Sequence, residues 1–150
     1  LFLDPVSFAK TSKVLHIIGN FHTIKPNKLE AELISGISIK DDESMLNAAQ
    51  NIFNKGCKQI FITLGKEGVF YFDGKDYGHY LHQGVNIKSA NGAGDAFTAG
   101  VVYGFLNLTS IEETAKFASA AAVIALQSKN TISESLSEHN IKLLLKDKVK

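Results

Sequence analysis

The stretch Ile60-Phe61-Ile62-Thr63-Leu64 is a nearly continuous apolar run. Such a run predicts a strand covered on both faces, as in a parallel sheet flanked by helices. Downstream, Asp73-Gly74 separates residues 69–72 from residues 77–81, and this dipeptide is a strong signal for a β-hairpin. The centre of the chain therefore predicts a buried strand followed by a hairpin.

Strand and helix patterns alternate around this centre. Further short strands are expected at residues 1–3, 21–25 and 85–87. Several helical patterns are bounded by recognisable caps. The end of a helix is expected at residues 14–18, before Gly19-Asn20, and further helices are expected at 28–35, before Gly36, and from Asp41 or Asp42 to Lys55-Gly56. The capping box Ser110-x-x-Glu113 opens a helix at 110–127, and helices are also expected at 95–106 and 137–150. This order predicts an α/β fold of three α/β/α layers with a mainly parallel sheet and an edge hairpin.

Bulk properties narrow the class of protein. The chain has 150 residues, enough for a single domain, and its formal net charge of +1 gives no reason to expect nucleic acid or a membrane as partner. Its one cysteine, Cys57, excludes an internal disulfide and a thiolate zinc site. No apolar run approaches the roughly 20 residues that span a bilayer. We expect a cytoplasmic protein and, because the chain begins on a strand-like run, part of a longer polypeptide.

The most informative stretch for function is Asn91-Gly92-Ala93-Gly94-Asp95-Ala96-Phe97. Its small residues let backbone amides crowd together at a helix N-terminus, which favours an anion or a developing negative charge. A carboxylate at Asp95 would repel a resting pyrophosphate. It suits a base that takes a proton from a hydroxyl while the amides hold a transferring phosphoryl group. The alternative is that Asp95 only stabilises the helix N-terminus.

Four segments together resemble the PfkB family of carbohydrate and nucleoside kinases. Gly92-Ala93-Gly94-Asp95-Ala96-Phe97 resembles its C-terminal signature, and Asn27-x-x-Glu30 resembles its N-x-x-E motif. Thr63-Leu64-Gly65-Lys66-Glu67-Gly68 is similar to its nucleotide loop, and residues 117–122 are similar to the helix beside the adenine. All four occur in the order of the family.

The resemblance implies the nucleotide-binding and catalytic half of a ribokinase-like fold, without the N-terminal part that supplies the lid and the sugar contacts. It implies ATP and Mg²⁺ as cofactors, a small sugar or nucleoside as substrate, and a homodimer for the full-length protein. The residue roles it implies are a catalytic base, Asp95; an anion hole, Gly92, Ala93 and Gly94; nucleotide contacts, Asn27, Thr63, Gly65, Gly68 and Ser119; and a magnesium residue, Glu30.

Each motif also has a structural interpretation. Asn27 and Glu30 fit a capping box that needs no metal. The glycines of residues 63–68 fit an ordinary turn with positive φ, and the Ser119 hydroxyl fits a hydrogen bond to its own helix. The joint order of the motifs favours the kinase interpretation.

Finer details resemble the pseudouridine kinase branch, which phosphorylates the 5′ hydroxyl of a C-nucleoside. His22-Thr23-Ile24-Lys25-Pro26-Asn27 is similar to a stretch of that branch. Many family members carry an Asp-Thr pair before the glycine loop that helps bind an activating monovalent cation. Ser89 and Ala90 stand there in this chain, so the missing carboxylate argues against activation by potassium.

Three alternatives stay open. A ribose or fructose kinase is the alternative within the class. A dinucleotide-binding module would need G-x-G-x-x-G near the start and an acidic residue about 20 positions later, and the chain has neither arrangement. A non-catalytic nucleotide-binding module would be expected to lose the base or the glycine loop, and both are present.

Overall fold

A computed structural model describes residues 1–81, 92–108, 110–127 and 135–146, except for the side chain of Phe8. The chain divides into two compact units, Leu1–His79 and Tyr80–Lys150. Residues 85–87, where a strand is predicted, and Ser89 and Ala90 lie outside the described residues, as do residues 147–150 of the predicted last helix.

The first unit contains the sheet, apart from Tyr80, the last residue of the fifth strand. Its strands are β1 (Phe2–Leu3), β2 (Thr23–Ile24), β3 (Gln59–Thr63), β4 (Val69–Phe72) and β5 (Tyr77–Tyr80), in that spatial order. β1, β2 and β3 are parallel, and β3 pairs with β4 in antiparallel register. A turn at residues 73–76, in which Gly74 has a φ of 91°, joins β4 to β5. The parallel arrangement of the first three predicted strands and the edge hairpin are confirmed, and the sheet as a whole is mixed.

Three helices belong to the same unit: α1 (Phe8–Val14), α2 (Lys28–Ser35) and α3 (Asp42–Asn54). α1 packs against α2, α2 against α3, and α3 against β3 and β4. Ile60 and Ile62 of β3 lie in the same buried apolar cluster as Ala48 and Ile52 of α3. Phe61, whose side chain alternates with these and therefore faces the other side of the sheet, is 0% exposed. β3 is thus buried on both faces, as its sequence predicts.

Helix ends follow the predicted caps with one exception. The Asp41 side chain accepts a hydrogen bond from the Ser44 amide at the start of α3, and Gly36 ends α2 with a φ of 73°. The prediction that Gly19-Asn20 caps a helix was wrong, because α1 ends at Val14 and residues 15–20 form a 3-10 helix. A Cβ on Gly19 would lie 2.1 Å from the Lys55 carbonyl oxygen. Gly19 is therefore needed for this close approach.

The second unit contains α4 (Ala93–Asn107), α5 (Ile111–Gln127) and α6 (Glu138–Lys146). Gly100 and Gly104 let α4 approach α5: a Cβ on Gly100 would lie 2.5 Å from Ala118 Cα. The Ser110 hydroxyl accepts a hydrogen bond from the Glu113 amide at the start of α5. α6 packs on α5 and buries Ile141 there. Within the described part of the chain, no helix is long and apolar enough to cross a membrane.

Candidate active site

The carboxyl ends of β2 and β3 bring two predicted nucleotide residues together. Because β2 and β3 are parallel, the segments that follow them leave the same edge of the sheet, which is where open α/β sheets bind ligands. Asn27 forms an isolated parallel bridge with Thr63, and the Thr63 amide donates to the Pro26 carbonyl oxygen over 2.9 Å. Asn27 is exposed at this edge.

Asn27 and Glu30 form the capping box that opens α2. Asn27 Oδ1 accepts from the Glu30 amide at 3.0 Å, and Glu30 Oε2 accepts from the Asn27 amide at 2.9 Å. The prediction that these two residues form a capping box is therefore confirmed. The capping box accounts for only one carboxylate oxygen, because Glu30 is 2% exposed and its Oε1 is buried without a hydrogen-bond partner among the described atoms.

The second carboxylate oxygen of Glu30, Oε1, is a candidate contact for the predicted magnesium site. A buried polar atom without a partner calls for an explanation, and a cation or its coordinated water is one. Mg²⁺ prefers oxygen ligands, keeps several waters and needs only one or two carboxylates. Among the described residues no three His, Cys, Asp or Glu side chains cluster as a metal site. The unpaired Oε1 of Glu30 fits Mg²⁺ that keeps most of its coordinated water, because such an ion needs only one carboxylate.

The loop after β3 is a tight turn built on two glycines. Residues Gly65–Glu67 form a 3-10 turn, and the Leu64 amide closes it on the Gly68 carbonyl oxygen over 2.8 Å. Gly65 has a φ of 61° and Gly68 a φ of 92°, so the positive-φ interpretation is confirmed. A Cβ on Gly65 would meet no described atom within 4 Å. The backbone at Gly65 is therefore open to approach from outside.

In the second unit, α4 begins without a side-chain cap. Its N-cap is Gly92, with a φ of 80°, and the helix starts at Ala93. The first amides of a helix have no intrahelical partner. Gly94 and Asp95 are exposed, and a Cβ on Gly94 would meet no described atom within 4 Å. The structure thus places an exposed carboxylate in the first turn of an uncapped helix, two positions after Ala93.

Ser119 lies in the same unit as Asp95. It is 8% exposed on α5, next to Ala118, which touches Gly100 of α4. The predicted contact of this helix with adenine stays a prediction. So does the convergence of Asp95 with Asn27 and Gly65 that the kinase interpretation requires.

One polar pair at the sheet edge was missed in the sequence. The Lys25 ammonium lies 2.9 Å from Asp4 Oδ2, with 12% and 22% of the side chains exposed. The available signal was that Asp4 directly follows β1 and Lys25 directly follows β2, which are adjacent parallel strands.

A family model described as pfkB family carbohydrate kinase matches residues 1–138. The chain belongs to the pfkB family. It is 32% identical to the pseudouridine kinase of Escherichia coli K12 over 142 residues, which are 94% of this chain and 45% of that protein. The chain thus spans less than half the length of this pfkB relative.

Solved structures agree with the pfkB assignment. A provisionally assigned sugar kinase from Clostridium perfringens superposes with a TM-score of 0.89 at 38% identity, over 97% of this chain and 45% of that one. Arabidopsis thaliana ribokinase, solved with ribose and ATP, superposes with a TM-score of 0.78 at 26% identity, over 88% of this chain and 43% of that one. The predicted ribokinase-like α/β fold is confirmed.

Proposed function

We propose that the intact protein is an ATP-dependent phosphotransferase that phosphorylates a hydroxyl of a sugar or nucleoside, with pseudouridine as the preferred acceptor. The observation that carries this proposal is the start of α4, where an exposed Asp95 sits in the first turn of a helix whose N-cap provides no side chain. In a pfkB family member, this is the geometry expected of a base beside an anion hole.

Asp95 accepts the proton of the acceptor hydroxyl as that oxygen attacks the terminal phosphorus of ATP. The amides at Gly92, Ala93 and Gly94 stabilise the charge on the transferring phosphoryl group, because the amides at a helix N-terminus are unpaired and the helix dipole is positive there. Phosphoryl transfer depends mainly on such positioning and charge stabilisation.

The sheet unit supplies the nucleotide side of the proposal. The open backbone at Gly65 and the exposed Asn27 contact ATP at the edge where Asn27 meets Thr63. Glu30 would hold magnesium through coordinated water, using Oε1, the oxygen that takes no part in the capping hydrogen bond. Magnesium, when bound, neutralises phosphate charge.

Pseudouridine is proposed as acceptor on two grounds. The stretch from His22 to Asn27 resembles the pseudouridine kinase branch, and the chain is 32% identical to the E. coli pseudouridine kinase. Ribose is the second candidate, because the similar Arabidopsis ribokinase was solved with ribose and ATP.

The test is steady-state phosphorylation by the intact protein and by Asp95→Asn. An Asn keeps the size of the side chain and still suits a helix start, so the variant should fold. Loss of a general base typically lowers the rate about 10²–10⁴-fold. ATP affinity should not fall, because the carboxylate repels the terminal phosphate and does not hold it.

The matched control is Asp42→Asn, which removes an exposed carboxylate from the first turn of α3. It should leave the rate unchanged. Wild-type turnover in Asp95→Asn would remove Asp95 from the mechanism and return it to helix stabilisation. Absence of turnover in the wild-type protein would favour a non-catalytic nucleotide-binding module. Ribose or fructose outcompeting pseudouridine would reject the proposed acceptor and keep the kinase class.

A further inference from the structure

The turn that follows β1 holds a strained residue. Val6 has a φ of 66° and is the only described non-glycine residue with positive φ. This conformation is a genuine outlier for a β-branched side chain, and strain of this kind persists only where the surroundings enforce it. Val6 is 67% exposed, so packing of its side chain does not enforce it.

Polar contacts of Asp4 hold this turn. Asp4 Oδ1 accepts from the Val6 amide at 3.3 Å, while Asp4 Oδ2 binds the Lys25 ammonium at 2.9 Å. The Ser7 amide donates to the Pro5 carbonyl oxygen over 2.8 Å and tightens the turn further. One carboxylate therefore fixes both a strained turn and a lysine on the neighbouring strand.

The lysine begins the segment that forms the proposed magnesium and nucleotide site. The Lys25 amide donates to the Leu3 carbonyl oxygen, and the next residue, Pro26, accepts from the Thr63 amide. Asn27 follows, and its amide donates to Glu30 Oε2. Residues 25–27 are thus held from β1 on one side and from β3 on the other.

The Asp4–Lys25 pair is sheltered enough to matter. The Lys25 side chain is 12% exposed and the Asp4 side chain 22%, whereas those of Lys75 and Asp76 on the hairpin turn are 88% and 58% exposed. Exposed pairs contribute little, while removing one partner of a sheltered pair leaves an uncompensated charge and is costly.

We propose that Asp4 is a positioning residue: through its ion pair with Lys25 it fixes residues 25–27 and so the Asn27–Glu30 capping box at the edge of the sheet. We call this ion pair, together with the residues 25–27 that it fixes, the Asp4–Lys25 clamp. Its importance for catalysis rests on the proposed function, in which the capping box contributes to binding magnesium and ATP. The clamp itself is a property of the sheet unit.

The kinetic test is a double-mutant cycle on Asp4→Asn and Lys25→Met in the intact protein. Loss of a group that orients a metal-binding residue typically costs about 10–100-fold in metal affinity, so we expect the KM for magnesium-ATP to rise about tenfold in each single variant. kcat should change less than KM. Because both variants break one contact, the double variant should be no worse than either single variant. Lys25→Arg, which keeps the positive charge, should retain most of the affinity for magnesium-ATP.

Additive losses in the double variant would overturn the clamp, because Asp4 would then act independently of Lys25. The matched control is Asp76→Asn, which removes the acidic partner of an exposed pair in the same unit. It should leave KM unchanged.

A second readout does not depend on activity. Hydrogen exchange followed by mass spectrometry on a peptide covering residues 25–31 should be faster in Asp4→Asn than in the wild type, and unchanged in Asp76→Asn. Unchanged exchange in Asp4→Asn would overturn the clamp. If Asp4→Asn does not fold, Lys25→Met tests the pair from the other side with the same expectation. Faster exchange in a protein whose wild type transfers no phosphoryl group would support the clamp and reject the proposed function.

Discussion

Replacing Glu30 with Gln separates the two roles that its buried carboxylate could have. Gln keeps an oxygen in reach of the Asn27 amide, so the capping contact, 2.9 Å long in the wild type, can be retained. What is lost is the charge, including that of Oε1, which is buried without a described partner. If Glu30 only caps α2, this change should have little effect on stability. If Glu30 also helps to bind magnesium, the change should weaken magnesium binding.

The magnitudes differ with and without magnesium. Without it, exchanging a charged for a neutral hydrogen bond costs about 1 kcal/mol, and removing a desolvated charge offsets a similar amount, so the free energy of unfolding should stay within about 1 kcal/mol of the wild type. With magnesium at about 100 times its Kd, a bound ion stabilises the wild type by about 2.7 kcal/mol. A Kd about tenfold weaker in Glu30→Gln leaves about 1.4 kcal/mol.

The assay is thermal unfolding of the intact protein with ATP, at increasing magnesium concentration. Without magnesium, we expect the melting temperatures of wild type and Glu30→Gln to differ by no more than about 4 °C, and with magnesium we expect a smaller rise in the variant. Glu113→Gln is the matched control, since Glu113 occupies the same third position of a capped helix but is exposed. A magnesium-dependent rise as large in Glu30→Gln as in the wild type would refute the reasoning and leave Glu30 as a helix cap.

Further predictions concern packing, backbone and the thiol. Gly104→Val should lower the free energy of unfolding by about 1–3 kcal/mol in urea titrations, because a Cβ there would lie 2.5 Å from Thr114 Cγ2; an unchanged midpoint would show that α4 and α5 can separate freely. Gly65→Ala should cost about 1–2 kcal/mol from its φ of 61° alone, since its Cβ meets no described atom, and it should weaken ATP binding in calorimetry; full affinity would move the nucleotide away from this loop. Burial raises the pKa of the Cys57 thiol from 9.0 to about 11. The folded state then binds a proton that the unfolded state loses, so this contribution to stability is complete below pH 9 and declines between pH 9 and 11; a thiol reagent that labels the native protein rapidly at pH 9 would contradict this.

Local patterns predicted most elements, because their causes are local. The apolar run at residues 60–64 became β3, buried on both faces, and the hairpin formed around Asp73-Gly74. Caps such as Asn27 and Ser110 also depend only on residues three positions away, so their contacts could be read from spacing.

Close approaches between distant segments could not be predicted in this way. Gly19 looked like a helix cap, because glycine is common there, yet its role is contact with the Lys55 backbone 36 positions later. Sequence spacing gives no measure of how near two backbones come after folding.

The sequence by itself determined the α/β class, the helix caps other than that at Gly19-Asn20, and the candidate residues Asn27, Glu30 and Asp95. These follow from periodicity, short-range hydrogen bonding and motif order. Only the tertiary structure decided that Glu30 is buried with one oxygen unused and that Asp4 binds Lys25. Burial and ion pairing depend on which strands become neighbours. In a parallel sheet, that pairing joins residues separated by a whole crossover in the sequence.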